Sequence, residues 1–208
     1  MAQARNVHEY IEKQRKAIDS NPECGMSRYN LATALLGLRK FDEAEEELLE
    51  AVRCSPTLAE AYVQLGGLCL QKGDLDGCLA YNEKSVTVRA GFFEGYGNIG
   101  FVQLQKGKID EAIYALEKAI RFNPNFIQAR ATLANAYLMK GDVDQSIEIN
   151  LKALEVDSEF PFAHNNLAIC YLEKGDCELA EKHCKKAIAL GYEVAPEIIE
   201  EIEKCKTA

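Results

Sequence analysis

What this chain lacks narrows its function before any motif is found. No apolar run approaches the ~18 residues that span a bilayer, so membrane insertion is not expected. The opening MAQARNVHEYIEKQRK has no continuous apolar stretch after its early charges, which argues against a secretory leader and for a cytoplasmic protein. Histidine is scarce, with only His8, His164 and His183, and there is no HExxH, no Gly-rich phosphate loop and no GxSxG elbow. No catalytic residue, cofactor or metal is therefore expected. Basic residues are outnumbered, 24 Lys and Arg against 33 Asp and Glu, for a net charge of -9. A phosphate backbone is repelled on average and no Lys/Arg stripe offsets this, so nucleic acid is excluded as a partner. Strand signals are absent as well.

Cysteine is the exception to this scarcity. Its eight copies fall mostly in apolar positions of the helical pattern, where a free thiol behaves as a small hydrophobe. Reduced thiols are expected and no disulfide is assumed.

What the chain does contain is a period. The stretch FEGYGNIGFVQLQKGKIDEAIYALEKAIRFNPNF, 93-126, lies over its neighbours at a fixed offset of 34 residues, giving the units 25-58, 59-92, 93-126, 127-160 and 161-194 without gaps. The eighth place reads Ala32, Gly66, Gly100, Ala134 and Ala168. The twentieth reads Ala44, Cys78, Ala112, Ser146 and Ala180, and the twenty-seventh Ala51, Ser85, Ala119, Ala153 and Ala187. Every one is small, because two antiparallel helices approach closely only where neither carries a bulky side chain. Larger apolar residues recur at the seventh place (Leu31, Leu65, Ile99, Leu133, Leu167) and the twenty-eighth (Val52, Val86, Ile120, Leu154, Ile188), forming the core stripe. Between the two helices of each unit stand Gly73-Asp74, Gly107-Lys108, Gly141-Asp142 and Gly175-Asp176. Gly supplies the left-handed residue that ends one helix and Asp can cap the next. The first unit has Arg39-Lys40 instead, and a strained or differently capped helix end is expected there.

These residues, with Tyr137 and Tyr171 at the eleventh place, resemble the tetratricopeptide repeat family across essentially the whole chain. The resemblance implies an all-α, right-handed superhelical solenoid of helix-turn-helix hairpins, first helices lining the inside and second helices the outside, with a capping helix at each end. It leaves the biochemistry open, since the family's partners are diverse.

Residues 1-24 hold one amphipathic helix with Val7, Tyr10, Ile11, Gln14, Ala17 and Ile18 on one face. In the repeat frame it is the second helix of a unit whose first helix is missing. It reads either as a cap on the first repeat or as a half repeat that packs into another molecule, a layout that resembles magnetosome-associated scaffolds of the family. At the other end, 195-208 is a short helix with Pro196 near its start and Ile198, Ile199 and Ile202 on one side, a C-terminal cap. The acidic run Asp42, Glu43, Glu45, Glu46, Glu47 and Glu50 is a solvated outer face or a dock for a basic partner. The unit 59-92, with Gly66-Gly67 in a helix interior, is expected to be the softest of the five.

Helical geometry selects the inward-pointing places of the first helices. Asn30, Gln64, Asn98 and Asn166 share the sixth place, with Asn135 and Asn165 nearby, and each amide both donates and accepts. Such a row can bond the backbone of an extended peptide while Tyr29, Phe101, Met139 and Phe162 supply apolar grip. The asparagine ladder of O-GlcNAc transferases is similar in kind. The alternative is that these amides are merely solvated, and that Leu36, Leu70, Leu104, Leu138 and Leu172 at the twelfth place pack between neighbouring helices. The Lys and Arg that a carboxylate clamp for chaperone C-termini needs are absent from these places.

One chemical cluster remains. Cys170, Cys177, Cys184 and His183 offer four N/S ligands, yet adjacent His183 and Cys184 diverge by about 100° on a helix, which opposes tetrahedral zinc. Core thiols are the better reading. The sequence thus points to a non-enzymatic module whose concave groove takes a peptide or helix of a partner protein. The alternative is a self-assembling scaffold, whose partner is a second copy joined through the N-terminal half repeat.

Overall fold

The computed structural model describes residues 2–207, with side chains described for residues 6–207. Among these residues there are twelve α-helices and no strand. They are α1 (Ala2–Ser20), α2 (Gly25–Gly37), α3 (Phe41–Cys54), α4 (Ala59–Gln71), α5 (Leu75–Val88), α6 (Phe93–Gln105), α7 (Ile109–Phe122), α8 (Ile127–Lys140), α9 (Val143–Val156), α10 (Pro161–Glu173), α11 (Cys177–Ala189) and α12 (Pro196–Thr207). The chain divides into two compact units, Met1–Val102 and Gln103–Ala208.

In the N-terminal unit α2 pairs with α3 and α4 with α5, and α1 lies on α2. The small residues sit where the helices cross: Ala32, Ala44 and Ala51 are fully buried, and Leu31, Leu35, Leu48 and Leu65 fill the space around them. α1 starts earlier than the amphipathic pattern required and adds buried Ile11 and Gln14, with Val7 and Ile18 packed alongside; Tyr10, on the same predicted face, is 42% exposed. In the C-terminal unit α8 pairs with α9 and α10 with α11, while α12 covers α11 and α10. Ala168, Ala180, Cys184 and Ala187 are buried there against Val194 and Ile202.

The turns follow the Gly-Asp reading. Gly73, Gly107, Gly141 and Gly175 all have φ between 72° and 86°, and Asp74, Asp142 and Asp176 accept from the backbone N–H groups of Gly77, Gln145 and Leu179. Arg39 adopts the same left-handed conformation, φ 58°, the one non-glycine among the described residues to do so. Its turn closes with the same two bonds as the others, Arg39 N to Leu36 O and Lys40 N to Leu35 O. The strain expected of the first unit is therefore present, because a Cβ in this region approaches the following carbonyl.

A second recurrent device unites unlike residues. At the fourth place Arg28, Tyr62, Arg130 and His164 each donate from the side chain to a carbonyl six residues back, of Pro22, Pro56, Pro124 and Ser158, at 3.0 to 3.2 Å. Each such bond pins a first helix to the loop that precedes it.

Most of the acidic run on α3 is engaged by neighbours. Glu47 meets Arg28 at 2.9 Å, Glu45 meets Lys72 at 2.5 Å, Glu43 is near Lys40 and Arg15, and Glu50 meets Arg53. α4 passes unbroken through Gly66-Gly67. A Cβ at Gly66 would run into the Asn82 carboxamide, which would have to shift, whereas Gly67 has nothing within 4 Å of a Cβ position.

Candidate partner-binding face

The predicted site residues lie on the less buried sides of the first helices. In the N-terminal unit, Tyr29 and Asn30 on α2 and Gln64 on α4 are half-buried, and Tyr29 packs against the core. Asn98 on α6 is half-buried, and Phe101, three residues on, is 37% exposed. In the C-terminal unit Asn135 on α8 is half-buried and Met139 is 52% exposed; on α10 Phe162 is equally exposed, while Asn165 and Asn166 are half-buried. Phe162 has aromatic neighbours, with the Tyr192 ring edge-on at 5.1 Å and Phe160 at 5.5 Å.

The sixth-place amides do not form a uniform ladder. Asn98 Nδ2 donates to the Asn82 Oδ1 at 3.0 Å, and Asn82 is fully buried on α5. Asn82 in turn donates to the Cys78 carbonyl at 2.8 Å, and the Ser85 hydroxyl donates to the Asn82 carbonyl at 2.7 Å. Asn166 instead donates to the Ala131 carbonyl of α8 at 3.3 Å. Asn150, the counterpart of Asn82, is fully buried on α9, donates to the Ser146 carbonyl at 3.0 Å and leaves its Oδ1 without a hydrogen-bond partner. Asn98 and Asn166 thus already tie helices together, and only their remaining donor and acceptor capacity faces outward.

The twenty-fourth place explains this. It reads Leu48, Asn82, Leu116, Asn150 and Cys184, so polar and apolar residues share one core position. Sequence reading that follows small and large apolar places passes over it.

The sulfur-histidine cluster is dispersed. Cys170 donates to the Ser146 hydroxyl at 3.1 Å, and Cys184 lies in the core under α12. Cys177 is joined to Cys205 of α12 in a disulfide with Cα atoms 5.7 Å apart, which corrects the expectation of reduced thiols throughout. His183 is 2.9 Å from His164, Nδ1 to Nδ1. Because His164 Nε2–H donates to Ser158 O, its Nδ1 is left to accept from His183. Burial, and then the neighbouring His164 and Lys182, hold the His183 pKa down at about 4, so the His183 ring is neutral near pH 7. The pair links α10 to α11. Burial also raises the thiols of Cys78, to about 11, and of Cys170 and Cys184.

Comparison with known proteins agrees with this architecture. The model of the tetratricopeptide repeat matches residues 14–59, 29–86 and 132–192, and a second model, of the TPR repeat, matches 100–141. The chain belongs to the tetratricopeptide repeat family. It is 38% identical over 71 residues to the TPR repeat-containing thioredoxin TTL4 of Arabidopsis thaliana, which covers 34% of this chain and only 10% of that protein. Among solved structures it is similar to YrrB, a TPR protein with an unusual peptide-binding site, with a TM-score of 0.73, 21% identity, and 95% of this chain and 100% of that one covered. It is also similar to MamA from Desulfovibrio magneticus RS-1, with a TM-score of 0.69, 24% identity, and coverage of 80% and 94%. At such identities the likeness establishes the fold. No helix among the described residues is long and apolar enough to cross a membrane.

Proposed function

We propose that this chain is a non-catalytic adaptor of the cytoplasm that binds an extended, uncharged segment of a partner protein along its first helices. The observation that carries this reading is the exposed apolar side chains, Phe101 in one unit and Met139 and Phe162 in the other, set beside half-buried amides in a protein of strongly acidic charge. Asn30, Gln64, Asn135, Asn165 and the remaining capacity of Asn98 and Asn166 supply main-chain hydrogen bonds, while Tyr29, Phe101, Met139 and Phe162 supply apolar grip. No Lys or Arg stands at the inward places of these helices, which disfavours an acidic ligand. That YrrB has a peptide-binding site supports the reading by likeness of fold.

The competing reading, self-assembly through the N-terminal half repeat, has a packing argument against it. In the repeat frame Tyr10 of α1 stands at the twentieth place and Ile202 of α12 at the eighth, where every complete unit has a small residue. Two chains placed end to end would meet with bulk on both sides, so the intermolecular hairpin would not close as the internal ones do.

The test is a selection of random displayed peptides on the full chain, followed by capture with Phe101→Ala and Asn135→Ala variants. Affinity is expected to fall by about tenfold or more, with thermal stability unchanged. Undiminished capture by both variants contradicts the proposal. Asn98 is a poor probe, since its loss also breaks the bond to Asn82.

A further inference from the structure

We propose that the Cys177–Cys205 disulfide is a thiol-exchange site whose substrate is a dithiol reductant, and that its reduction releases α12 and uncovers Cys184. The bond joins the first turn of α11 to the last turn of α12, both cysteines are only half-buried, and an attacking thiolate therefore has access. Six other cysteines remain free thiols, so this is a single bond in a thiol-rich chain and not part of a disulfide framework.

What the bond holds is weakly held otherwise. α12 has twelve residues, too short to be stable alone, and among its side chains only Ile202 is fully buried; Ile198 and Ile199 are half-buried and Glu197, Glu200, Glu201 and Glu203 face solvent. One ion pair, Lys206 to Glu181 at 2.8 Å, adds an exposed contact. The N-terminal cap differs: α1 is nineteen residues long, buries Ile11 and Gln14, and is held without a covalent link. Beneath α12 lies Cys184, 5% exposed and in the same cluster as Ile202, Val194 and Tyr171. Cys170 is fully buried but against Ser146 of α9, away from that cluster.

The exchange balances as a two-electron transfer. A thiolate of the reductant attacks Cys205 Sγ, the Cys177–Cys205 bond breaks, and Cys177 leaves with the electron pair as a thiolate, which then takes a proton. The second thiol of the reductant attacks its own sulfur in the mixed disulfide and expels Cys205. The protein gains two electrons and two protons, and the dithiol becomes a disulfide.

The experiment is pulsed iodoacetamide labelling of the full folded chain, read peptide by peptide by mass spectrometry, before and after dithiothreitol. Before reduction Cys177 and Cys205 are expected to be unlabelled and Cys184 slow. After it both should label, and Cys184 should accelerate about tenfold or more while Cys170 stays slow. A Cys205→Ser variant should show fast Cys184 labelling without reductant. Cys184 remaining as slow as Cys170 once the bond is open would overturn the release. Labelling of Cys177 and Cys205 before reduction, in chain refolded with oxidised glutathione, would overturn the site itself. Should Cys205→Ser not fold, the reductant arm on the unaltered chain decides.

Discussion

The two compact units use the same residue types at the same repeat positions and bond them differently. In the N-terminal unit the buried Asn82 has its oxygen satisfied by Asn98 of the next first helix. In the C-terminal unit the equivalent Asn150 oxygen is orphaned, because Asn166 turns to the Ala131 carbonyl. The anchors at the fourth place differ in part: both units use an arginine, Arg28 and Arg130, but the other anchor is Tyr62 in the N-terminal unit and His164, paired to His183, in the C-terminal unit. A repeat specifies helix contacts through small and large apolar places, while its polar interior is decided unit by unit. The N-terminal unit should therefore be fragile to loss of an amide, and the C-terminal unit to acid.

The largest effect should come from that amide. Asn82→Ala is expected to cost about 2–4 kcal/mol in chemical denaturation, since it opens a cavity and strands the Asn98 partner. Asn150→Leu, which installs the residue found at Leu48 and Leu116, should be neutral or stabilising by about 1 kcal/mol because it removes an unpaired buried acceptor. Equal losses at the two sites would erase the comparison.

Acid should act on the C-terminal unit. His183 is held at about 4 in the folded chain, below its ordinary value of 6.5, so the unfolded chain binds the extra proton first as pH falls. The stability it contributes is complete above pH 6.5 and is lost between 6.5 and about 4, on the order of 2 kcal/mol after allowance for partial exposure. Hydrogen exchange at decreasing pH should show α10 and α11 loosening before α2 to α5. His183→Phe should flatten that dependence.

Three further substitutions, of smaller expected effect, bear on the N-terminal unit. Gly66→Ala should destabilise by about 1–3 kcal/mol through its clash with Asn82, while Gly67→Ala, facing open space, should stabilise by about 0.5–1 kcal/mol. Arg39→Gly should add roughly 1 kcal/mol by relieving the left-handed residue, read as a raised thermal midpoint.

These cases mark what was legible beforehand. The period placed the helices, and the missing glycine at Arg39 announced the strained turn, because both are properties of the chain near itself. The fourth-place anchors were invisible, since Arg28, Tyr62, Arg130 and His164 share a bond and not a chemistry. The amide row at the sixth place was found, but its division between internal bonds and outward capacity depended on Asn82 and Asn150 one helix away. The disulfide was missed because it pairs the last full unit with the cap, at a distance that only folding fixes.

If first helices, not second helices, receive the partner, backbone amide shifts of the full chain during titration with a selected uncharged peptide will show it. Perturbed residues are expected on α2, α4, α6, α8 and α10, with Phe101, Asn135, Met139 and Phe162 among them. Perturbation confined to α3, α5, α7, α9 and α11 would contradict it.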